Sequence, residues 1–373
     1  MLVLETLERI GGLKGIIVKP VLGMKDPWRY RNKVQQPVGF DGNNLVTGFY
    51  APGSHDILPI TECLVQTELS VAIINRTREI LRHFGIRAYS EARHQGWIRH
   101  LLVRTAGSPT PITPGVGPEG SDPSRMDPSR ALLTFVTRTP EFPHEQDVIQ
   151  ALNKDFPQIL WFHQNVQNAR SNVILGREWR TLAGQDWIEE RLGRLRFRLS
   201  PASFFQVNSA QAEILYDVAR QFAGKGRRLL DLYCGVGAIA LWLADQFEEV
   251  GGVEEVEPAI VDAQANAELN GIQNARFLAQ PVEAFLRGAR HDSGRGLTVT
   301  LDPPRTGCAP AVVQALVKLR PERIVYVSCD PGTLARDVKV LVQGGHQVDA
   351  VQPVDLFPQT AHIETVVKLN ARM

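Results

Sequence analysis

Past the midpoint of the chain, Arg228-Leu229-Leu230 runs into Asp231-Leu232-Tyr233-Cys234-Gly235-Val236-Gly237-Ala238-Ile239-Ala240-Leu241, and no other stretch restricts the fold so strongly. Apolar residues ending on an acid read as a strand, two glycines as a tight turn, and the apolar-rich run to Gln246 as a helix. A side chain at Gly235 or Gly237 would hold the backbone away from a ligand, and the helix start offers unpaired N–H groups. This is a strand, loop and helix suited to a nucleotide. Gly235 to Ala240 also fits the dinucleotide pattern GxGxxA, with Glu254 at the distance of a ribose-binding acid. Alone, the motif does not separate a dinucleotide from another nucleoside cofactor, or either from a plain turn.

The chain beyond it extends the same unit. Strands are expected near 228–232, 249–254, 275–279, 297–301, 323–328, 346–354 and 362–369, alternating with helices near 208–223, 237–246, 257–270, 309–319 and 332–342. Such alternation predicts an α/β fold with a doubly wound, mostly parallel sheet. Ligands of these sheets lie beyond the carboxyl ends of the strands, which groups Asp231, Glu254, Asp302 and Cys329. Glu254 can accept both hydroxyls of a ribose. In Asp302-Pro303-Pro304-Arg305 two prolines fix a rigid turn that keeps the acid aimed into the crevice. A dehydrogenase has no evident need of this second element, so the reading moves from a dinucleotide toward S-adenosylmethionine.

The 373 residues, 43% hydrophobic, suffice for two cores. Residues 1–200 are expected as an α+β domain and 201–373 as the doubly wound one. The first has short strands between 14 and 60, a helix from about Glu62 to Phe84 capped by Thr61, strands at about 86–104 and 131–138, a helix at 144–154, and strands near 158–167, 172–180 and 187–199. Residues 105–130, rich in Pro, Gly and Ser, read as a mobile insertion.

Charge divides unevenly: residues 1–200 hold 25 Lys/Arg against 20 Asp/Glu, while 201–373 hold 16 against 20. Trp28-Arg29-Tyr30-Arg31-Asn32-Lys33 interleaves cations with aromatics, and Arg194, Arg196 and Arg198 would share one face of a strand. The first domain is therefore the candidate for a polyanion, although a solvated surface would look similar. No apolar run approaches the ~18 residues of a membrane span, and Glu5, Glu8 and Arg9 interrupt any signal core, so a cytoplasmic chain is expected. Cys63, Cys234, Cys308 and Cys329 form no CxxC pair, which suggests neither a zinc site nor a disulfide framework.

Five stretches in order, Ser200-Pro201-Ala202-Ser203-Phe204-Phe205-Gln206-Val207-Asn208, the Asp231–Leu241 loop, Leu301-Asp302-Pro303-Pro304-Arg305-Thr306-Gly307, Val327-Ser328-Cys329-Asp330-Pro331 and His362-Ile363-Glu364, resemble the RNA 5-methyluridine methyltransferases. The resemblance covers about the last 170 residues and implies a Rossmann-like S-adenosylmethionine-dependent domain preceded by an RNA-binding domain. It carries over Cys329 as nucleophile, Glu364 as general base, and Gln206, Tyr233, Glu254 and Asp302 as cofactor-binding residues. Without it, Cys329 reads equally well as a small core residue and Glu364 as an exposed acid. With it, Asp330-Pro331-Gly332 is expected to start a helix whose N–H groups stabilise a thiolate. Phe204 and Phe205 suit either a base platform or the core.

The chain departs from the family's pattern in places. Some members have an asparagine where this chain has Ala238. Ribosomal-type members often carry a β-barrel and three cluster-binding cysteines ahead of a fourth in the central domain. Cys63 matches that fourth, and the rest are missing, so no metal is expected and Cys63 is read as a buried thiol. The stretch Pro27 to Lys33 with Cys63 looks like the ribosomal branch, which favours 23S rRNA over the tRNA T-loop. The expected partner is RNA, with no DNA or membrane, and the chain is expected as a monomer. Rivals are an amino-methyltransferase, whose acid-Pro-Pro turn usually continues with an aromatic where Arg305 stands, a cytosine-C5 enzyme, and a non-catalytic RNA-folding factor.

Overall fold

The structure, a computed structural model, describes residues 2–42, 44–107, 130–288 and 294–372. Most of the insertion expected at 105–130 lies outside the described residues. The chain forms two compact units, one of residues 26–191 and 199–202, the other of 1–25, 192–198 and 203–373.

The unit of residues 26–191 is built on a seven-stranded sheet: β1 (Lys33–Asp41), β2 (Asn44–Tyr50), β3 (Ile57–Pro59), β4 (Ile98–Ala106), β5 (Arg130–Thr137), β6 (Ile159–Val166) and β7 (Glu178–Ala183), in the order β3-β2-β1-β4-β5-β6-β7. Helices α2 (Glu68–His83) and α3 (Glu145–Asp155) supply Ile73, Leu81, Val148 and Leu152 to a core shared with Val34, Leu101 and Phe135 of the strands. The helix expected from Glu62 starts six residues later, with Thr67, and not Thr61, accepting from the Ser70 N–H. Tertiary contacts override the local pattern there. The N–H groups of Arg29 and Arg31 bond the carbonyls of Leu64 and Val65, and the Arg29 guanidinium donates to those of Cys63 and Gln66. Carbonyls used this way, with a turn closed by the Gln66 N–H on the Cys63 carbonyl, keep 63–66 out of the helix.

A hairpin of β8 (Ile188–Leu192) and β9 (Leu195–Leu199) follows. Along β9 burial alternates, with Leu195, Phe197 and Leu199 inside and Arg196 and Arg198 outside, the one-face pattern expected of alternate arginines.

The second unit has the expected α/β architecture. Its strands are β10 (Gly226–Leu232), β11 (Phe247–Glu254), β12 (Ala275–Ala279), β13 (Leu297–Leu301), β14 (Arg323–Ser328), β15 (His346–Val354) and β16 (Glu364–Ala371). Their order is β12-β11-β10-β13-β14-β16-β15, parallel except for β16. Successive crossovers leave β10 in opposite directions, which opens a crevice between the ends of β10 and β13. Helices α4 (Ser209–Ala223), α5 (Ala238–Leu243), α6 (Glu257–Leu269), α7 (Val282–Gly288), α8 (Pro310–Leu319) and α9 (Pro331–Gln343) complete it. Asn208 caps α4 by accepting from the Gln211 N–H, and Gly224 ends it at φ 61.

Two features of this unit differ from expectation. Helix α7 sits where none was expected. Residues up to Lys25, expected with the first domain, instead pack here. Helix α1 (Leu2–Arg9) buries Val3 and Leu7, one turn apart, in the core with Leu334 and Val338. Beyond it the chain runs beside β15: the N–H groups of Lys19 and Leu22 bond the carbonyls of Val351 and Pro353 at 3.0 Å, and Gln352 donates to the Pro20 carbonyl at 2.7 Å. An amphipathic turn of helix and an open strand edge draw this segment away from its sequence neighbours. No described helix is long and apolar enough to cross a membrane.

Candidate active site

Three neighbouring strand ends build the reactive half of the crevice. Strand β13 stops at Leu301, paired with Tyr326 of β14, and Asp302 follows. Strand β14 stops at Ser328, paired with Thr365 of the antiparallel β16. One step further along that register face Cys329 and Glu364, residues far apart in sequence. Cys329 is half-buried and Glu364 buried.

Their charges compete. Burial, then the charges of Glu364 and Asp302, push the Cys329 thiol up to about 11. Burial, then Asp302, pushes Glu364 up to about 8, and burial raises Asp302 to about 7. The opposing group is the exposed guanidinium of Arg305, which favours the charged forms of both Cys329 and Glu364. The two prolines before it set its approach, Thr333 Oγ1 donates to its carbonyl at 3.3 Å, and its guanidinium lies 3.3 Å from His362 Nε2.

The turn that presents Cys329 is closed by its own side chains. Ser328 Oγ donates to the Asp330 carbonyl and accepts from the Asp330 N–H, while the Asp330 carboxylate accepts from the Thr333 N–H at 2.8 Å. The start of α9 is thus capped by an acid. The thiolate-stabilising helix end expected from Asp330-Pro331-Gly332 is replaced by a capping carboxylate, and the resting residue is a thiol.

The other half of the crevice lies beyond β10 and β11. Asp231, buried, accepts from Thr300 Oγ1 at 2.6 Å and from the Ala240 N–H at 3.1 Å, so it ties strand, neighbouring strand and helix together. Burial raises its carboxyl to about 7 despite the Thr300 hydrogen bond. Tyr233, Gly235 and Gly237 follow with φ of 63, 52 and 80. A Cβ on Gly235 would meet nothing, leaving that side of the backbone open to a ligand, whereas one on Gly237 would strike Phe277 at 2.9 Å. Glu254 accepts from the Gly235 N–H at 3.2 Å and the Val256 N–H at 3.0 Å. Each of its oxygens retains acceptor capacity for a hydroxyl. These features fit an adenosyl group: an open glycine turn, a ribose acceptor, and Asp302 and buried Gln206 nearby. Gln206 hydrogen-bonds Tyr216, whose hydroxyl also feels the charge of Asp302. Tyr233 borders a cavity of about 360 Å³ with Glu255, Glu283, Pro304 and Cys308.

Among residues weighed from sequence, Phe205 is core, packed on Phe197 with centroids 5.1 Å apart, while Phe204 is 69% exposed. Cys63 is half-buried, not the buried thiol expected, because its N–H and carbonyl, engaged by Glu62 and Arg29, hold it near the surface. Among the described residues no three His, Cys, Asp or Glu side chains gather as a metal site. Sequence reasoning missed Arg305 and Tyr216. The Asp-Pro-Pro turn immediately before Arg305 was the available signal; Tyr216, in the middle of a helix, gave none.

A family model described as tRNA (uracil-5-)-methyltransferase matches residues 164–372. An uncharacterized RNA methyltransferase of Halalkalibacterium halodurans is 39% identical over 370 residues, spanning 99% of this chain and 77% of the relative. One of Listeria innocua is 38% identical over 371 residues, again 99% and 77%. Among solved structures, the Pyrococcus abyssi tRNA (uracil-54, C5)-methyltransferase in complex with S-adenosyl-L-homocysteine matches with a TM-score of 0.75 at 28% identity, over 98% of this chain and 81% of that one.

Proposed function

Because this chain belongs to the tRNA (uracil-5-)-methyltransferase family of S-adenosylmethionine-dependent RNA-modifying enzymes, we propose that it methylates C5 of a uridine through a covalent bond between Cys329 and C6. The observation that carries this reading is the β14–β16 register, which sets a thiol and a carboxyl side by side at the crevice.

Uracil C5 is a poor nucleophile. Addition of the Cys329 thiolate to C6 moves electrons through C5 onto O4, and the resulting enolate attacks from C5. S-adenosylmethionine supplies the electrophilic methyl group. Glu364 then takes the C5 proton, the C5–C6 double bond re-forms and the thiolate leaves. The resting thiol must first lose its proton to solvent, which leaves Glu364 free for the C5 proton. Glu364, raised to about 8, is a base near neutral pH once ionised, and Arg305 offsets the negative charge that gathers. Gln206, Tyr233, Glu254 and Asp302 hold the cofactor in this reading, and the basic first half of the chain holds the RNA. Extruding the uridine costs a few kcal/mol, least in a loop or bulge.

The favoured substrate is 23S rRNA, on the likeness of Pro27–Lys33 and Cys63 to the ribosomal branch. A tRNA T-loop is the second reading, favoured by the Pyrococcus neighbour, whose own substrate is uridine 54 of tRNA. Incubation with S-adenosylmethionine and each unmodified RNA, followed by mass spectrometry of the digest, separates them. A 5-methyluridine at one position, absent with Cys329→Ala, is expected. Methylation that survives Cys329→Ala would end the covalent mechanism, and methylation of cytidine would end the uracil assignment.

A further inference from the structure

The catalytic unit carries opposite charges on the two edges of its sheet. At the carboxyl edge stand Glu254, Glu255, Asp302, Asp330 and Glu364, against the cations Arg305 and Arg336. That edge alone would repel RNA. At the amino edge, β10, β13, β14 and β16 lie side by side. Lys225, Arg227 and Arg228 stand where β10 begins, Arg295 just before β13, Arg320 just before β14, and Arg372 just after β16. All but Arg228 are exposed.

Among the described residues the acids there, Glu248, Glu249 and Glu322, are fewer than these cations, and the pair of Arg227 with Glu248 is stretched to 4.0 Å. Arg320 donates to the backbone carbonyl of Arg372 at 3.2 Å. Such a bond fixes a guanidinium without cancelling its charge. The four strands place the cations over about 15 Å, at a strand spacing near 4.8 Å. We infer that this amino edge is a second RNA-contact surface, which takes the phosphate backbone of RNA lying outside the stem-loop that holds the target uridine. The strands between the two edges are about 20 Å long, so the RNA must extend well beyond the modified nucleotide.

The competing account is structural. Helices α4 and α8 end at this edge, at Ala223 and Leu319, and cations near a helix C-terminus are stabilising. Anisotropy titrations of the whole chain over roughly 50 to 200 mM KCl separate the two. The probes are an unmodified 23S rRNA transcript and a tRNA T-arm hairpin. For Lys225→Gln/Arg227→Gln/Arg295→Gln we expect roughly tenfold weaker rRNA binding and a log–log salt slope shallower by about 2 to 3, at near 0.7 to 0.9 per phosphate released. Hairpin binding stays within about twofold. The opposite change, Glu248→Gln/Glu249→Gln, tightens rRNA binding. An unchanged salt slope, an equal loss on both RNAs, or a lower melting temperature with rRNA binding intact overturns the inference. Methylation by the unaltered chain is scored on each RNA separately, so a mistaken substrate is told apart from an idle amino edge.

Discussion

The two halves of the crevice treat their carboxylates in opposite ways. Beyond β10 and β11, Asp231 and Glu254 each accept two hydrogen bonds, from Thr300, Ala240, Gly235 and Val256, and are fixed before any ligand arrives. Beyond β13, β14 and β16, the raised proton affinities of Asp302 and Glu364 arise from burial, joined at Glu364 by the charge of Asp302, with no hydrogen bond contributing. Burial raises Asp231 to about 7 as it does Asp302, so the halves differ in the hydrogen bonds their acids accept and not in desolvation. A group that must hold a ligand gains from fixed partners, whereas one that must exchange a proton near neutral pH gains from lacking them.

The sharpest way to break that contrast is Glu364→Gln. On the proposed mechanism the adduct and the methyl transfer still form but the C5 proton stays, so turnover falls by about 10² to 10⁴-fold and a protein–RNA band persists on a denaturing gel. Loss of turnover with no trapped adduct would mean that Glu364 acts before bond formation.

Next in size is Arg305→Gln. The group it removes favours the charged forms of Cys329 and Glu364, so the apparent pKa of the kcat/KM profile should move upward and the rate at neutral pH fall by about tenfold. Arg305→Lys should restore part of both. A lower rate with an unmoved profile would leave Arg305 a merely structural role.

The smallest effect is on stability. Asp231, Asp302 and Glu364 all have folded-state affinities for protons above those of an unfolded chain, so the folded state binds more protons between about pH 4 and 8. Their contribution is complete below pH 4 and is lost as pH rises through about 7 to 8. The ligand-free melting temperature should therefore decline from pH 6 to pH 9, and less steeply in Asp231→Asn. The asparagine can keep both partners, its amide oxygen accepting from the Ala240 N–H and its NH2 donating to Thr300 Oγ1, so the variant isolates the titration. A melting temperature that rises over this range would contradict the buried, protonated state of these acids.

The sequence was most legible where strands are buried on both faces. The expected limits of β13 and β14 coincide with the observed ones, because an apolar run bounded by turn residues has one reading. It was least legible where distant residues capture the backbone, as when Arg29 and Arg31 bond the carbonyls of 63–66 and delay α2. The site divides likewise. The glycine turn and Glu254 follow from local spacing. The meeting of Cys329 with Glu364 depends on an antiparallel pairing that local pattern does not disclose, and the importance of Arg305 depends on what surrounds it.

The segment that runs beside β15 sets an order on biosynthesis. Pro20 is bonded by Gln352, 332 residues later, and at 5 to 20 residues per second its partner leaves the ribosome on the order of tens of seconds afterwards. Residues 26–191 are complete long before then. The segment containing Leu22 must wait, unpaired, while another unit is made whole, and the cofactor-binding unit closes its sheet last. A nascent chain stalled before β15 would carry a finished first unit and an unfinished enzyme, with the stretch from Lys19 to Leu22 still without its strand.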